Sequence, residues 1–349
     1  MRGPTTFPAP PARRRSRRMD GEVVLVTGGS RGLGLRLAHE FGTRGAAVAI
    51  CARGRERLTR AVAELTSQGI DAQGVVCDVT VPEEVEVLPE EVVARFGRLD
   101  VLVLNAGIMR VGPWETLTEE HFAQALDSMF LGPLRLVRAA FDPLRESGGR
   151  IVTITSIGAY LSVPHLMPYT VAKHAEAALS ESLAAESAGT GVRVTTVVPG
   201  LMRTGSHRGA VFDGSPEREY AWFALLAGLP LLSVGAGRAA RRIADAVERR
   251  RGFLVLTPAA RLGMAAHGLA PGLVQASMRL IGRVWPDIPS EPRELPGSEA
   301  ARSLKGRAVG VVTFLNERAA HRLNQVSRTR QTRGVGCGTA TGTVNIDHP

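Results

Sequence analysis

The chain has 349 residues, 44% of them hydrophobic, which is enough to fill the core of one large domain or two ordinary ones. Its formal charge of +10 is concentrated at the ends: residues 1–18 and 301–349 together carry +12, leaving the 282 residues between them near −2. A near-neutral body excludes a basic face for nucleic acid. Cys51, Cys77 and Cys337 are odd in number and far apart, so neither a disulfide framework nor a metal site is indicated, and a reducing, cytoplasmic setting suits them.

Residues 1–20 are expected to form a disordered basic leader. They are rich in Pro and Arg and lack the long apolar run and small-residue cleavage site of a secretion signal. Met19 is an alternative start. From residue 22 short β-branched runs alternate with longer helical stretches. The runs EVVLVT (22–27), AAVAIC (46–51), AQGVVC (72–77), LDVLVLN (99–105), RIVTIT (150–155), VRVTTVV (192–198) and GFLVLT (252–257) each predict a buried strand. Most are separated by enough residues for a helix to cross back over the sheet. The pattern predicts an α/β, doubly wound, mostly parallel seven-stranded sheet of the Rossmann type in a single domain, residues 21–258.

Directly after the first run stands TGGSRGLG, Thr27 to Gly34. A glycine-rich turn from strand into helix brings backbone amides and the positive end of a helix dipole to a pyrophosphate. The spacing is not G-x-G-x-x-G, because Ser30 and Leu33 occupy the second and third glycine places. The second run ends ICARGRER, with Ala52 where an acid would hold the ribose hydroxyls of NAD and Arg53 just beyond it. Arg53 and Arg31 offer planar guanidinium forks to an extra phosphate, which predicts NADP(H) in preference to NAD(H).

Ser156 ends the fifth run, where a hydroxyl can point into the crevice beyond the sheet; a serine there also commonly caps a turn. Thirteen residues on comes YTVAK, which uses one of only three tyrosines and one of only two lysines in the chain. Tyr169 and Lys173 are four apart and share one helix face. An ammonium beside a phenol favours the phenolate, so the pair has the makings of a general acid/base. The segment 205–236, which contains AWFALLAGLPLLSV (221–234), is expected as an apolar lid over the carboxyl edge of the sheet. Residues 259–290 form an apolar extension broken by glycine, proline and arginine. It is too interrupted to span a membrane and suited either to capping the domain or to lying on a membrane surface. Residues 291–349 are expected as a polar tail, disordered towards its end.

TGGSRGLG, CDV (77–79), NAG (105–107), Ser156, Tyr169, Lys173 and PGLMRT (199–204), in this order, resemble the motifs of the short-chain dehydrogenase/reductase family over about residues 21 to 258. The resemblance implies hydride transfer between a nicotinamide dinucleotide and a ketone or aldehyde, or the reverse oxidation of a secondary alcohol, with Ser156, Tyr169 and Lys173 catalytic. It implies cofactor contacts from Thr27, Gly28, Ser30, Arg31, Gly32, Leu33 and Gly34, from Arg53, from Asp78 and Val79 on the adenine side, and from Asn105, Ala106 and Gly107. Tyr169, Lys173, Pro199, Gly200 and Thr204 would lie near the nicotinamide. The helices near 118–140 and 168–189 resemble the family's packing surfaces and imply a homodimer or homotetramer.

One position departs from the family, which usually has an asparagine where this chain has Met129, supporting a water-linked proton path to the lysine. A thioether is at best a weak acceptor, so activity is expected to be present but slowed. The apolar lid and extension favour a lipid-like, steroid-like or polyketide-like substrate. Two alternatives stand beside this reading: a non-catalytic NADP-binding sensor, and dehydration or epimerisation on the same fold, with Asp213 the available lid acid. His165, His174 and His207 are read as polar surface or lid residues, and no metal site is expected.

Overall fold

Residues 23–27 are all buried, with Val24 and Val26 facing one apolar cluster and Val23 and Leu25 another. Such a strand has both faces covered, which is why it reads as a continuous apolar run. The computed structural model describes residues 19–228, 233–285, 291–303 and 323–325. The expected leader before Met19, residues 229–232 of the expected lid and the expected disordered end after 325 lie outside the described residues.

In chain order the elements are β1 (Val23–Thr27), α1 (Gly32–Thr43), β2 (Ala47–Ala52), α2 (Arg55–Ser67), β3 (Ala72–Val76), α3 (Pro82–Phe96) and β4 (Val101–Leu104). Then follow β5 (Arg110–Val111), α4 (Glu119–Leu126), α5 (Gly132–Glu146), β6 (Arg150–Ile154), α6 (Met167–Glu186) and β7 (Arg193–Val198). The remainder is β8 (Leu201–Arg203), β9 (Val211–Gly214), α7 (Pro216–Gly228), β10 (Ser233–Gly235), α8 (Ala236–Glu248), β11 (Phe253–Val255), α9 (Pro258–Leu269), α10 (Pro271–Gly282), β12 (Arg293–Pro296) and α11 (Gly297–Ser303).

The seven expected strands form one sheet in the order β11-β7-β6-β4-β1-β2-β3, with every pairing parallel. The order reverses at β1, so the crevice beyond the carboxyl ends of β1 and β4 is the topological switch point, where ligands bind in sheets of this kind. One face is covered by α1, α2 and α8, whose buried Leu37, Phe41, Leu65 and Ile243 join one cluster; the other is covered by α3 and α5 through Val85, Leu88, Leu136 and Ala140. The two layers pin the register, because a one-residue slip would reverse every side chain.

A small sheet, β12-β9-β5, lies outside this frame. β12 runs antiparallel to β9, and α11 then packs Ala300 against Phe212 and Tyr220. The expectation of a polar tail from 291 thus meets a segment in which residues 293–303 return to the lid and pair with it. The apolar extension forms two helices, α9 and α10, in which Ala260 is the buried residue, and Leu262, Leu269, Leu273 and Leu280 are exposed. Among the described residues no helix is long and apolar enough to cross a membrane.

Candidate active site

The turn between β1 and α1 gathers the first group of expected residues. Gly28 and Gly32 have φ of +63° and +59°, a conformation that side chains with a Cβ rarely adopt. A Cβ on Gly34 would collide with the carbonyl of Gly28 and meet Asn105 Nδ2, so the helix can start this close to the strand only with glycine there. Arg31 is the N-cap of α1 with no side-chain cap bond, and no acid stands in the first turn. No side chain of this turn therefore caps the amides of the helix start, which suits them to an anion once Gly32 N is released from its partner.

Thr27 serves the scaffold. Its Oγ1 accepts from the amides of Asn105 and Ala106, both at 2.9 Å, and Asn105 Nδ2 donates to Thr27 O at 2.9 Å. These bonds clamp the Asn105–Gly107 loop to the switch point. Asp78 accepts from Thr80 N and Thr80 Oγ1 at 3.0 and 2.9 Å and lies 3.6 Å from Arg53. Thr204 is buried, and Pro199 O accepts from Ile157 N at 2.8 Å, which joins the loop after β7 to the turn after β6.

At the end of β2 the structure adds a cation that the sequence expectation left out. Arg31 is held below the usual arginine range by burial and by the nearby charges of Arg57 and Arg53. The charges of Arg53 and Arg57 therefore bear on Arg31 in the glycine turn. Arg57 stood in the same ICARGRER stretch, and its spacing of four from Arg53 was the signal available. Residues 323–325 also reach this turn. Gly32 N donates to Leu323 O at 2.8 Å, and Asn324 Nδ2 donates to Ser30 O at 2.9 Å.

The second group lies along β6 and α6. Ser156 caps the short turn 157–159, its Oγ accepting from Gly158 N at 3.0 Å. An amide donated into one lone pair leaves the hydroxyl hydrogen free to point elsewhere. A Cβ on Gly158 would lie 3.2 Å from Tyr169 Cε1 and 3.4 Å from Ser156 Oγ, so the bare glycine brings ring and hydroxyl together. Tyr169 and Lys173 are one turn apart near the start of α6, which carries Pro168 in its first turn. Lys173 is 5% exposed; its Nζ lies 5.8 Å from the Tyr169 ring centre and donates to Ile154 O at 2.9 Å and Glu176 Oε2 at 2.6 Å. Burial works against the ammonium, yet Glu176 and Tyr169 opposite it raise its pKa overall.

Met129 lies in a π-helical turn (127–131), fully buried with Ala125 and Ala172 and against Tyr169. A Cβ on Gly107 would meet its Sδ at 3.2 Å. Ser128, next to it, is buried as well.

Asp213, the lid acid considered for other chemistry, lies 2.9 Å from Arg110 as part of the small sheet. His165 Nδ1 meets Glu219 Oε1 at 2.5 Å, and Glu219 Oε2 accepts from Trp285 Nε1 at 3.1 Å, tying lid, loop and extension together. His174 Nδ1 is 2.9 Å from Thr170 O, and His207 is buried against Tyr220. Among the described residues no cluster of three metal-ligating side chains occurs. A cleft of about 560 Å³ opens beside the start of α6, lined by Trp114, Pro164, His165, Met167, Val171 and Trp285. A second, of about 410 Å³, sits at the amino ends of β1 to β3, away from all the expected site residues.

A glycine turn entering a helix at the switch point of a doubly wound sheet, with a tyrosine–lysine pair on the helix after β6, is the arrangement of a dinucleotide-dependent oxidoreductase. Residues 22–211 match the family model for short chain dehydrogenase, and the chain belongs to that family. Over 188 residues it is 38% identical to a Streptomyces coelicolor protein named as a ketoacyl reductase, covering 53% of this chain and 72% of that one. With 11-beta-hydroxysteroid dehydrogenase 1A of Arabidopsis thaliana the identity is 35% over 206 residues, or 58% of each chain. A variant of actinorhodin polyketide ketoreductase, solved with NADPH, superposes with a TM-score of 0.61 at 31% identity, covering 68% of this chain and 97% of that one. The protein is an NAD(P)-dependent oxidoreductase that transfers hydride between the cofactor and ketone or alcohol groups.

Proposed function

We propose that this oxidoreductase prefers NADPH and acts on apolar ketones, aldehydes or secondary alcohols, with Ser156, Tyr169 and Lys173 as its catalytic residues. The carrying observation is the buried Lys173 ammonium, tied to the end of β6 and one helical turn from Tyr169, whose ring packs beside Ser156.

The turn Gly28–Gly34 and the Asn105–Gly107 loop fit a dinucleotide, because glycine keeps the cradle open and the first amides of α1 point out of it. Arg31, Arg53 and Arg57 support the preference for NADPH: like charges held together are relieved by an anion, and guanidinium forks match a phosphate. The relative solved with NADPH favours the same choice.

When bound, the cofactor supplies or accepts the hydride. In reduction Tyr169 gives its proton to the carbonyl oxygen while the Ser156 hydroxyl donates to that oxygen and holds it. Lys173 keeps the phenol poised and binds the nicotinamide ribose. Each contribution is one of placement and proton supply. An apolar substrate is supported by the relatives named for ketoacyl and steroid substrates; the cleft lined by Trp114, Met167 and Val171 includes none of the three catalytic residues.

The test is titration with NADPH and with NADH, followed by a panel of apolar carbonyl compounds monitored at the reduced-nicotinamide absorbance. Tighter NADPH binding with turnover abolished in Tyr169→Phe is the expected result. Tight binding with no turnover across the panel would overturn the catalytic assignment.

A further inference from the structure

Glu176 stands on the buried face of α6, one turn after Lys173, and is 0% exposed. Its Oε2 accepts from Lys173 Nζ, while its Oε1 is buried without a hydrogen-bond partner among the described residues. Packing alone does not call for a carboxylate here, because a buried charge with an unsatisfied oxygen costs more than an apolar side chain of similar size. The neighbours on this face, Ala172, Ala177 and Ser180, are small, and Ser180 has its own partner in Thr196 on β7.

We propose that Glu176 is a positioning residue for the hydride-transfer site: it holds Lys173 in place and, by offsetting the ammonium's charge, sets the pH at which Tyr169 exchanges its proton. The inference rests on the acid–base role proposed above for Tyr169.

An ammonium has three donors. Ile154 O and Glu176 Oε2 take two of them, which holds Nζ and leaves one for the ribose or the phenol. An ammonium beside a phenol favours the phenolate in general, and an anion 2.6 Å from Nζ subtracts from the ammonium's field. The other ionisable groups on α6 and its neighbours are placed or paired elsewhere, Arg110 of β5 with Asp213 and Glu294. On α6 itself, His174 is bonded to the Thr170 carbonyl and Glu181 to the Tyr160 hydroxyl. In the π-turn, Asp127 is paired with Arg135 at 3.9 Å. Glu119, Glu120 and His121 sit at the outer start of α4, and Arg150 and Arg193 are at the far, amino ends of β6 and β7. The charge balance at the Tyr169–Lys173 pair is thus set by Glu176.

The experiment titrates the Tyr169 phenolate by difference absorbance, subtracting the matching Tyr169→Phe protein to remove Tyr160 and Tyr220, in the parent and in Glu176→Gln and Glu176→Asp. No substrate is involved, so the result stands whatever becomes of the substrate assignment. Glu176→Gln should lower the midpoint by on the order of one pH unit, and Glu176→Asp, which keeps the charge on a shorter arm, by less than half as much. An unmoved midpoint in Glu176→Gln, or one moved equally by both variants, overturns the proposal. Should the variants not fold, the parent supplies the test. Lysine-selective labelling gives signals from two residues, Lys173 and Lys305. The Lys173 signal should show a titration step near neutrality that persists in Tyr169→Phe; its absence also overturns the proposal. With a substrate in hand, the alkaline fall in the reduction rate should move with the phenol midpoint.

Discussion

Arg110 Nη1 lies 2.9 Å from Asp213 Oδ1 and 2.9 Å from Glu294 Oε2, so one guanidinium spans the three strands β5, β9 and β12. Burial raises the pKa of Asp213 against the pull of Arg110, while Arg110 lowers that of Glu294. Breaking a buried pair from one side leaves the other charge stranded, at a cost of about 3–5 kcal/mol. Arg110→Leu should therefore destabilise the protein by roughly that amount in denaturant unfolding, and Asp213→Asn in the Arg110→Leu background should restore part of it. Asp213→Asn alone should keep turnover. Its abolition would return Asp213 to the chemistry.

Arg31 in the glycine turn and Arg53 and Arg57 after β2 predict a split between cofactors. Arg53→Ala or Arg57→Ala should weaken NADPH binding about tenfold each, since each removes a charged phosphate partner, and leave NADH binding within about twofold. Equal losses for both dinucleotides in calorimetric titration would show that these side chains do not select the extra phosphate.

Leu323 and Asn324 occupy the amide of Gly32 and the carbonyl of Ser30, and a Cβ on Gly32 would lie 2.7 Å from Gln325 Nε2. A pyrophosphate seated on the first amides of α1 must take the place of this contact. Asn324→Ala, which removes the bonds to Ser30 O and Arg57 O, should tighten NADPH binding a few-fold. Weaker binding in the variant would instead make Asn324 part of the cofactor's own site.

Met129 fills an apolar pocket between Ala125, Ala172 and Tyr169. Met129→Asn buries an amide among apolar neighbours and should cost about 1–3 kcal/mol in stability. It should also speed turnover with a good substrate, by restoring an amide on the proton route that the family resemblance implies. A variant that is merely less stable and no faster would remove Met129 as the cause of slow proton supply.

Burial pushes the Glu176 carboxyl up to about 7, above the ~4.3 of an exposed glutamate. Between these values the folded protein keeps a proton that the unfolded chain has released. The resulting stability is complete below about pH 4 and is lost as pH rises through about 7. Relative to Glu176→Gln, the parent should therefore lose on the order of 3 kcal/mol between acidic and mildly alkaline pH. Parallel unfolding curves for both proteins across that range would contradict the buried titration.

How much of this was legible follows from what each signal depends on. Strands such as β1, β2 and β4 could be read because each carries its burial in its own residues, a run of four to six apolar side chains that admits few other placements, whereas β3, expected as buried, has Val75 as its one buried residue at the sheet edge. Tyr169 and Lys173 could be paired because helix geometry alone puts residues four apart on one face. Arg57 was harder, since a third arginine in an Arg-rich stretch looks like any solvated cation until Arg31 and Arg53 are seen beside it. Glu176 gave no signal: a glutamate three residues after a lysine is common on exposed helix faces, and only the packing of β6 and β7 against α6 shows that this face is dry.

The order of apolar runs, the glycine turn and the tyrosine–lysine spacing are local properties; the first determined the sheet without reference to any contact, and the others pointed to a cofactor end and a chemical end. The tertiary structure alone decided which distant residues meet. It returned 293–303 to the small sheet β12-β9-β5, set Leu323 and Asn324 on the glycine turn and closed Glu176 in with Lys173. Such meetings depend on long-range packing and on the desolvation it imposes, and neither is written in the spacing of neighbouring residues.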